Sequence, residues 1–242
     1  MKNAIVTGAS TGIGRATSIK MAEDGFHIFL IARSKDKLEE TADLINEIGS
    51  KSTVLVTDLS NLDSINNLIG GILEKVDSVD AIVNIAGIWH GKDKVFADTA
   101  YQSFNQKTIL DTHAVGFTAP SLLVHGLLPK MKSGSKIVNL SGTFQNGAKG
   151  WLPYFASKRA LEDLTIGLSQ ELEDKNIQVN CVSPSDTATE EYEKYFPQYI
   201  DEAISPEKIA DKIVELCQKD NKTTGKVFVM ENGKEPFEGF HY

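Results

Sequence analysis

Cysteine is scarce. The 242 residues hold two, Cys181 and Cys217, too few for a disulfide framework and without the paired spacing of a metal site. A reduced pair in a cytoplasmic protein is expected. No run of about 18 apolar residues appears, so no membrane-spanning helix is expected. The opening Met1-Lys2-Asn3-Ala4-Ile5-Val6 lacks the length and cleavage signal of a secretory leader. Positive charge is in deficit: 25 Lys and Arg against 33 Asp and Glu leave a formal −8. That balance argues against a partner made of nucleic acid or anionic membrane, since either would repel it. Repeats, low-complexity tracts and linker-like stretches are missing too, so one domain over residues 1–242 is expected.

What is present is a core. Hydrophobic residues are 41% and charged residues 24%, close to the globular average. Short apolar runs read as buried strands at Ala4–Thr7, His27–Ala32, Thr53–Thr57, Ala81–Asn84, Ile137–Leu140, Gln178–Val182 and Val227–Met230. Between them lie helical periods around Ile13–Asp24, Lys35–Ile48, Leu62–Lys75, Tyr101–Leu128, Tyr154–Asp174 and Pro206–Lys219. Continuous apolar strands alternating with helices predict an α/β protein, its parallel sheet covered on both faces. Ser60 before Leu62 and Ser205 before Pro206 read as helix starts. Residues 185–204 are the least regular stretch, and long irregular segments often cover a site. A lid is expected there.

Thr7-Gly8-Ala9-Ser10-Thr11-Gly12-Ile13-Gly14 follows the first strand and opens the first helix. Gly8 permits a tight turn, Gly12 lets backbone approach a pyrophosphate, and Gly14 allows close helix–strand packing. Gly8, Ser10, Thr11, Gly12, Ile13 and Gly14 therefore form a candidate phosphate cradle at a helix N-terminus. The second strand ends in Ala32-Arg33-Ser34. An acidic residue there would hold a ribose 2′-hydroxyl; Arg33, helped by Ser34, suits a 2′-phosphate. NADP(H) is expected over NAD. Arg15 is a weaker candidate.

Tyr154 and Lys158 stand at i, i+4 on one helix face. An ammonium beside the phenol is expected to lower its pKa from about 10 and make it a usable acid and base. Ser141 lies at a strand's carboxyl end, 13 residues earlier. These marks, with Asp58-Leu59, Asn84-Ile85-Ala86-Gly87, Val138-Asn139-Leu140-Ser141, Asn180–Thr189 and Thr224-Gly225-Lys226-Val227, run in one order over the whole chain. In that order the sequence resembles the short-chain dehydrogenase/reductase family in its compact single-domain form.

The resemblance implies a Rossmann-like, doubly wound sheet of seven parallel strands in the order 3-2-1-4-5-6-7. It implies Asp58 and Leu59 by the adenine, and Asn84, Ala86 and Gly87 along the adenosine side. Lys158 would hold the nicotinamide ribose and tune Tyr154. Pro184, Thr187 and Thr189 would hold the nicotinamide end. Tyr154 would protonate a carbonyl oxygen that Ser141 also binds. A homo-oligomer, dimer or tetramer, is implied as well; Ala156, Ala160, Leu164, Leu168 and Leu172 suit either core or interface.

Three departures stand out. His113 occupies the place, three residues before Gly116, where the family commonly has an Asn that supports a proton-relay water; it is a candidate relay or a packed histidine. The family's paired serines read Ser141-Gly142, so counting back from Tyr154 selects Ser141 and counting forward from Asn139 selects Gly142. Thr143 is the substitute donor. Ser185 stands where a Gly usually follows Pro184.

Candidate pocket residues are Trp89, His90, Phe144, Gln145, Trp151, Tyr192, Tyr195 and Phe196. The tail residues Phe237, Phe240 and Tyr242 read either as a subunit contact or as a frayed end. The expected activity is interconversion of a small-molecule carbonyl and a secondary alcohol with NADP(H), without a metal. A 3-oxoacyl thioester is one substrate class, its acidic carrier needing a patch from Lys130, Lys132 and Lys136. A dehydratase or epimerase with the same cofactor is the alternative, as is a catalytically silent NADP-binding sensor or scaffold.

Overall fold

The computed structural model describes residues 2–91, 94–143 and 148–240. Eight strands form one sheet in the order β3-β2-β1-β4-β5-β6-β7-β8. They are β1 (Lys2–Thr7), β2 (Phe26–Ala32), β3 (Ser52–Val56), β4 (Val79–Asn84), β5 (Met131–Leu140), β6 (Gln178–Pro184), β7 (Lys226–Met230) and β8 (Phe237–Glu238). The first seven run parallel, as expected for a Rossmann-like sheet. The eighth was not anticipated. It pairs antiparallel with β7, Val229 opposite Phe237, and so takes in part of the aromatic tail.

Helices α1 (Gly12–Glu23), α2 (Lys35–Glu47) and α8 (Pro206–Cys217) cover one face; α3 (Leu62–Lys75), α5 (Ala119–Leu127) and α6 (Leu152–Glu171) cover the other. Strand alternation divides the core accordingly. Ala4 and Val6 of β1 join Met21, Leu30 and Ile213 on the first face. Ile5 joins Ile72, Ile82 and Leu123 on the second. Burying two such layers is the main stabilising term of the fold.

Two local expectations change. Helix α3 starts on Asn61, whose side chain accepts from Ser64 N at 2.8 Å. Ser60 instead donates to Asp58, which orders the turn before the helix. The expected helix Tyr101–Leu128 is broken. It contains a single 3-10 turn (Tyr101–Ser103), α4 (Gln106–His113), a π-helical turn (Ala114–Thr118) and then α5. At the π turn the chain lies close against α6: a Cβ on Gly116 would lie 2.5 Å from Ser157 Oγ.

Residues 185–204 are less irregular than expected. Thr187 bridges to Ile204, and between them lie α7 (Glu190–Tyr195) and a 3-10 helix (Pro197–Glu202). Among the described residues no helix is long and apolar enough to cross a membrane. Cys181 and Cys217 are free and buried.

Candidate active site

The order reverses between β1 and β4, and the carboxyl ends of the flanking strands open a crevice there. A cleft of about 660 Å³ occupies it, walled by Gly8, Ser10, Thr11, Gly12, Ile13 and Gly14, by Arg33 and Ser34, and by Leu59, Ala86 and Gly87. The glycines are required by close approach. Gly8 has φ +71° and Gly12 φ +52°. A Cβ on Gly14 would sit 2.0 Å from Gly8 O, and one on Gly12 2.8 Å from Thr189 Cγ2. Thr11 is the N-cap of α1 and makes no side-chain capping bond. The first helical N–H groups thus face the cleft, a cradle suited to a diphosphate.

Arg15 does not point into the cleft wall. It donates to Ser10 O at 2.8 Å, Thr41 Oγ1 at 3.2 Å and Glu40 Oε2 at 2.7 Å, clamping the turn to α2. Lys37 lines the cleft beside Arg33, a second cation that the motif reading passed over. Its signal was available: Arg33 and Lys37 stand four apart across the start of α2. Asp58 is exposed beside the cleft and accepts from Ser60 N and Oγ. Partial burial raises its pKa, but the Ser60 bonds and the charges of Arg33 and Lys107 prevail and hold it low. Asn84 lies behind the wall: its Nδ2 donates to Asn139 Oδ1 at 2.8 Å, and Asn139 donates to Thr165. It ties β4 to β5 and α6 and lines neither cavity.

A second cavity of about 450 Å³ adjoins the first. It is lined by Ser141, Gly142, Thr143, Tyr154, Pro184, Ser185, Thr187 and Thr189 together with the aromatics Trp89, Trp151, Tyr192, Phe196 and Tyr199. Tyr154 and Thr189 border both cavities. Phe144, Gln145 and Tyr242 fall outside the described residues.

Lys158 is almost wholly buried, its Nζ 2.7 Å from Leu140 O and 5.5 Å from the Tyr154 ring centre. Burial pushes its pKa down to about 8 against the opposing pull of Cys181 and Glu162. Burial pushes the Tyr154 phenol upward. This reverses the expected direction. The ammonium hydrogen-bonds the Leu140 carbonyl, and at that separation it does not offset the phenol's loss of water.

Ser141 is brought to the pocket floor but turned downward. Its hydroxyl donates to Glu162 Oε1 at 2.7 Å, while Arg159 Nη1 donates to Oε2 at 2.7 Å. Glu162, fully buried one turn beyond Lys158, went unnoticed because helical spacing marks it only as polar. The Thr143 hydroxyl donates to Pro184 O at 2.9 Å. His113 ends α4 at the π turn, half-buried, and lines neither cavity.

Residues 185–204 supply part of the lining of both cavities, Thr189 to each, Tyr192, Phe196 and Tyr199 to the second, and Glu190 and Glu191 to the first. Thr189 abuts Gly12. Tyr195 packs edge-on against Trp89, ring centres 5.9 Å apart, and Phe196 meets Tyr192 at 5.1 Å. Among the described residues no group of three or more His, Cys, Asp or Glu could hold a metal ion.

The geometry is that of a nucleotide-dependent oxidoreductase of one family. The short chain dehydrogenase model matches residues 2–199, and the chain belongs to that family. A fatty acyl-CoA reductase of Acinetobacter baylyi is 31% identical over 224 residues, 88% of this chain and 72% of that protein. A 3-oxoacyl-[acyl-carrier-protein] reductase of Staphylococcus epidermidis is 32% identical over 185 residues, 76% of this chain and 74% of that one. Among solved structures, an angucycline C-6 ketoreductase with bound NADP superposes with TM-score 0.84 at 26% identity, covering 94% of this chain and 93% of that one. A promiscuous reductase that performs keto-reduction at C1 during lugdunomycin biosynthesis gives 0.84 at 25%, covering 94% and 95%.

Proposed function

We propose that this protein is an NADP(H)-dependent reductase that interconverts a carbonyl and a secondary alcohol. The observation that carries the reading is Tyr154, whose ring borders the cofactor cleft and the aromatic cavity at once. Gly8, Ser10, Thr11, Gly12, Ile13 and Gly14 would hold the pyrophosphate, and Arg33, Ser34 and Lys37 the 2′-phosphate. Leu59, Ala86 and Gly87 would flank the adenosine, with Asp58 at its edge and Asn84 bracing the strands behind. Pro184, Thr187 and Thr189 would border the nicotinamide. When bound, the nicotinamide supplies the hydride or accepts it.

Tyr154 gives its proton to the carbonyl oxygen. A phenol holds its proton at neutral pH, so the site rests as an acid, and burial of Tyr154 strengthens that hold. Lys158 stands below, charged at pH 7, and favours the phenolate that proton donation leaves. Ser141 accepts a hydrogen bond from the alcohol as it stands; to donate to a developing oxyanion it turns away from Glu162. His113 would carry protons from the π turn to Lys158. Residues 185–204 form the lid. The half-buried outer stripe Ala156, Ala160 and Leu164 of α6 supports a homo-oligomer, and two buried thiols suit the cytoplasm.

The test is NADPH oxidation against aldehydes, ketones, diketones and 3-oxoacyl thioesters. Tyr154→Phe should lower kcat by roughly 10²–10⁴-fold while NADPH still binds. Turnover unchanged in the variant sinks the assignment of Tyr154.

A further inference from the structure

The lid and the cavity beneath it carry an unusual combination of side chains. Residues 185–204 hold six acidic residues and one lysine, so five of the chain's eight surplus negative charges sit in this segment. The same twenty residues supply Tyr192, Phe196 and Tyr199 to the cavity wall, facing Trp89 and Trp151. Among the described lining residues the one ionisable as a charge at neutral pH is Asp186; no Lys or Arg is among them.

Asp186 is placed at the mouth by its backbone, whose carbonyl accepts from Ile204 N at 2.8 Å. Asp186 and Tyr192 line the same cavity, and burial first, then the Asp186 charge, pushes the Tyr192 phenol's pKa upward. The carboxylate shares the cavity with Trp89, Trp151, Tyr192, Phe196 and Tyr199. The cavity, about 450 Å³, is roughly three times the ~150 Å³ that holds one benzene ring.

Each term selects. Aromatic walls favour a flat ring over an extended acyl chain. Carboxylate and ring faces together favour a cation. An anionic group meets Asp186 with no lysine or arginine among the described lining residues to pair with, and partial desolvation in the crevice strengthens that repulsion. Resting on the reductase reading above, we propose that the cavity takes bicyclic or similarly sized aryl ketones that carry no negative charge, best of all those bearing a protonated amine. Thioesters of phosphopantetheine carriers and aryl carboxylates are excluded.

The test pairs turnover with binding. Four probes are compared: 1-tetralone, an acetophenone with a para dimethylaminomethyl group, 4-acetylbenzoate and acetoacetyl-CoA. NADPH oxidation gives kcat/KM at low salt and in 0.5 M NaCl. Quenching of Trp89 and Trp151 fluorescence in the NADP⁺-loaded protein gives Kd without turnover. The expected order places the amine above 4-acetylbenzoate by about tenfold or more at low salt. That ratio should shrink several-fold in 0.5 M NaCl, where the Debye length is only about 4–5 Å. Asp186→Asn should shrink it about threefold with NADPH affinity unchanged. Acetoacetyl-CoA or 4-acetylbenzoate as the best substrate overturns the inference and leaves the reductase reading standing. Ring ketones that bind in the expected order but are never reduced uphold the inference and remove the reductase reading. Neither binding nor turnover of any ring ketone removes the inference outright.

Discussion

Lys158 is charged at neutral pH, and that charge is lost as pH rises through about 8. The reduction kcat/KM should therefore fall with pH above about 8, with the slope of a single proton. Lys158→Arg, which cannot deprotonate in this range, should retain whatever activity it has without that limb. A limb unchanged in the variant assigns it to another group. The stability sign is opposite to that of an ion-paired lysine. Its pKa is depressed from 10.5 on folding, so burying the ammonium costs stability below about 8. The cost is relieved between about 8 and 10.5. Denaturant unfolding should show the wild type gaining on Lys158→Met across that window. Arg33 belongs to the same scale. Arg33→Asp should weaken NADPH binding by roughly tenfold or more and NADH binding far less, with Lys37→Ala weaker in the same direction. Equal losses for both cofactors remove the 2′-phosphate role. Arg33 was legible in the sequence because it replaces a carboxylate at a known strand end. Lys37 had a signal in its four-residue spacing from Arg33, whereas Glu162 was not legible, since its meaning comes from what lies under the floor.

The expected fourth helix was the longest on paper and proved the most interrupted. Gly116 lets the π turn lie against Ser157, three residues beyond Tyr154, and single π turns are frequent at functional sites. Periodicity does not show this, because one extra residue shifts the apolar face by about 100° and α4 and α5, eight and nine residues long, are too short to fix the phase on either side. The turn leaves His113 at the end of α4, half-buried and lining neither cavity. His113→Ala should lower turnover by roughly a hundredfold with NADPH affinity intact if it carries protons. Turnover held within twofold returns it to packing. At the other end of the chain order, the phosphate turn was fully legible. A Cβ on Gly14 would strike the Gly8 carbonyl, so backbone contact alone imposes that glycine.

Across the whole molecule, the eighth strand closes one edge of the sheet. Glu238 reaches Lys226 Nζ at 2.7 Å, and Gly239 N donates to Val227 O at 2.9 Å. Three or so backbone bonds at about 1 kcal/mol each are enough to matter at a terminus. Deleting residues 234–242 should lower Tm by several degrees and expose β7 as an edge open to self-pairing. Calorimetry and light scattering read both effects, and an unchanged Tm makes β8 incidental. The strand was invisible beforehand because a two-residue ladder carries no periodic signal.

Local patterning alone determined the alternation of buried strands and helices, the phosphate turn and the Tyr154–Lys158 face. Each of these depends on residues near one another in the chain. Tertiary structure decided the rest. It turned Ser141 toward Glu162 and raised the Tyr154 pKa by burial. It also gathered Asp186, Tyr192, Phe196 and Tyr199 along the second cavity. These outcomes depend on which distant segments meet and on how much water is excluded where they do, and no spacing along the chain encodes either.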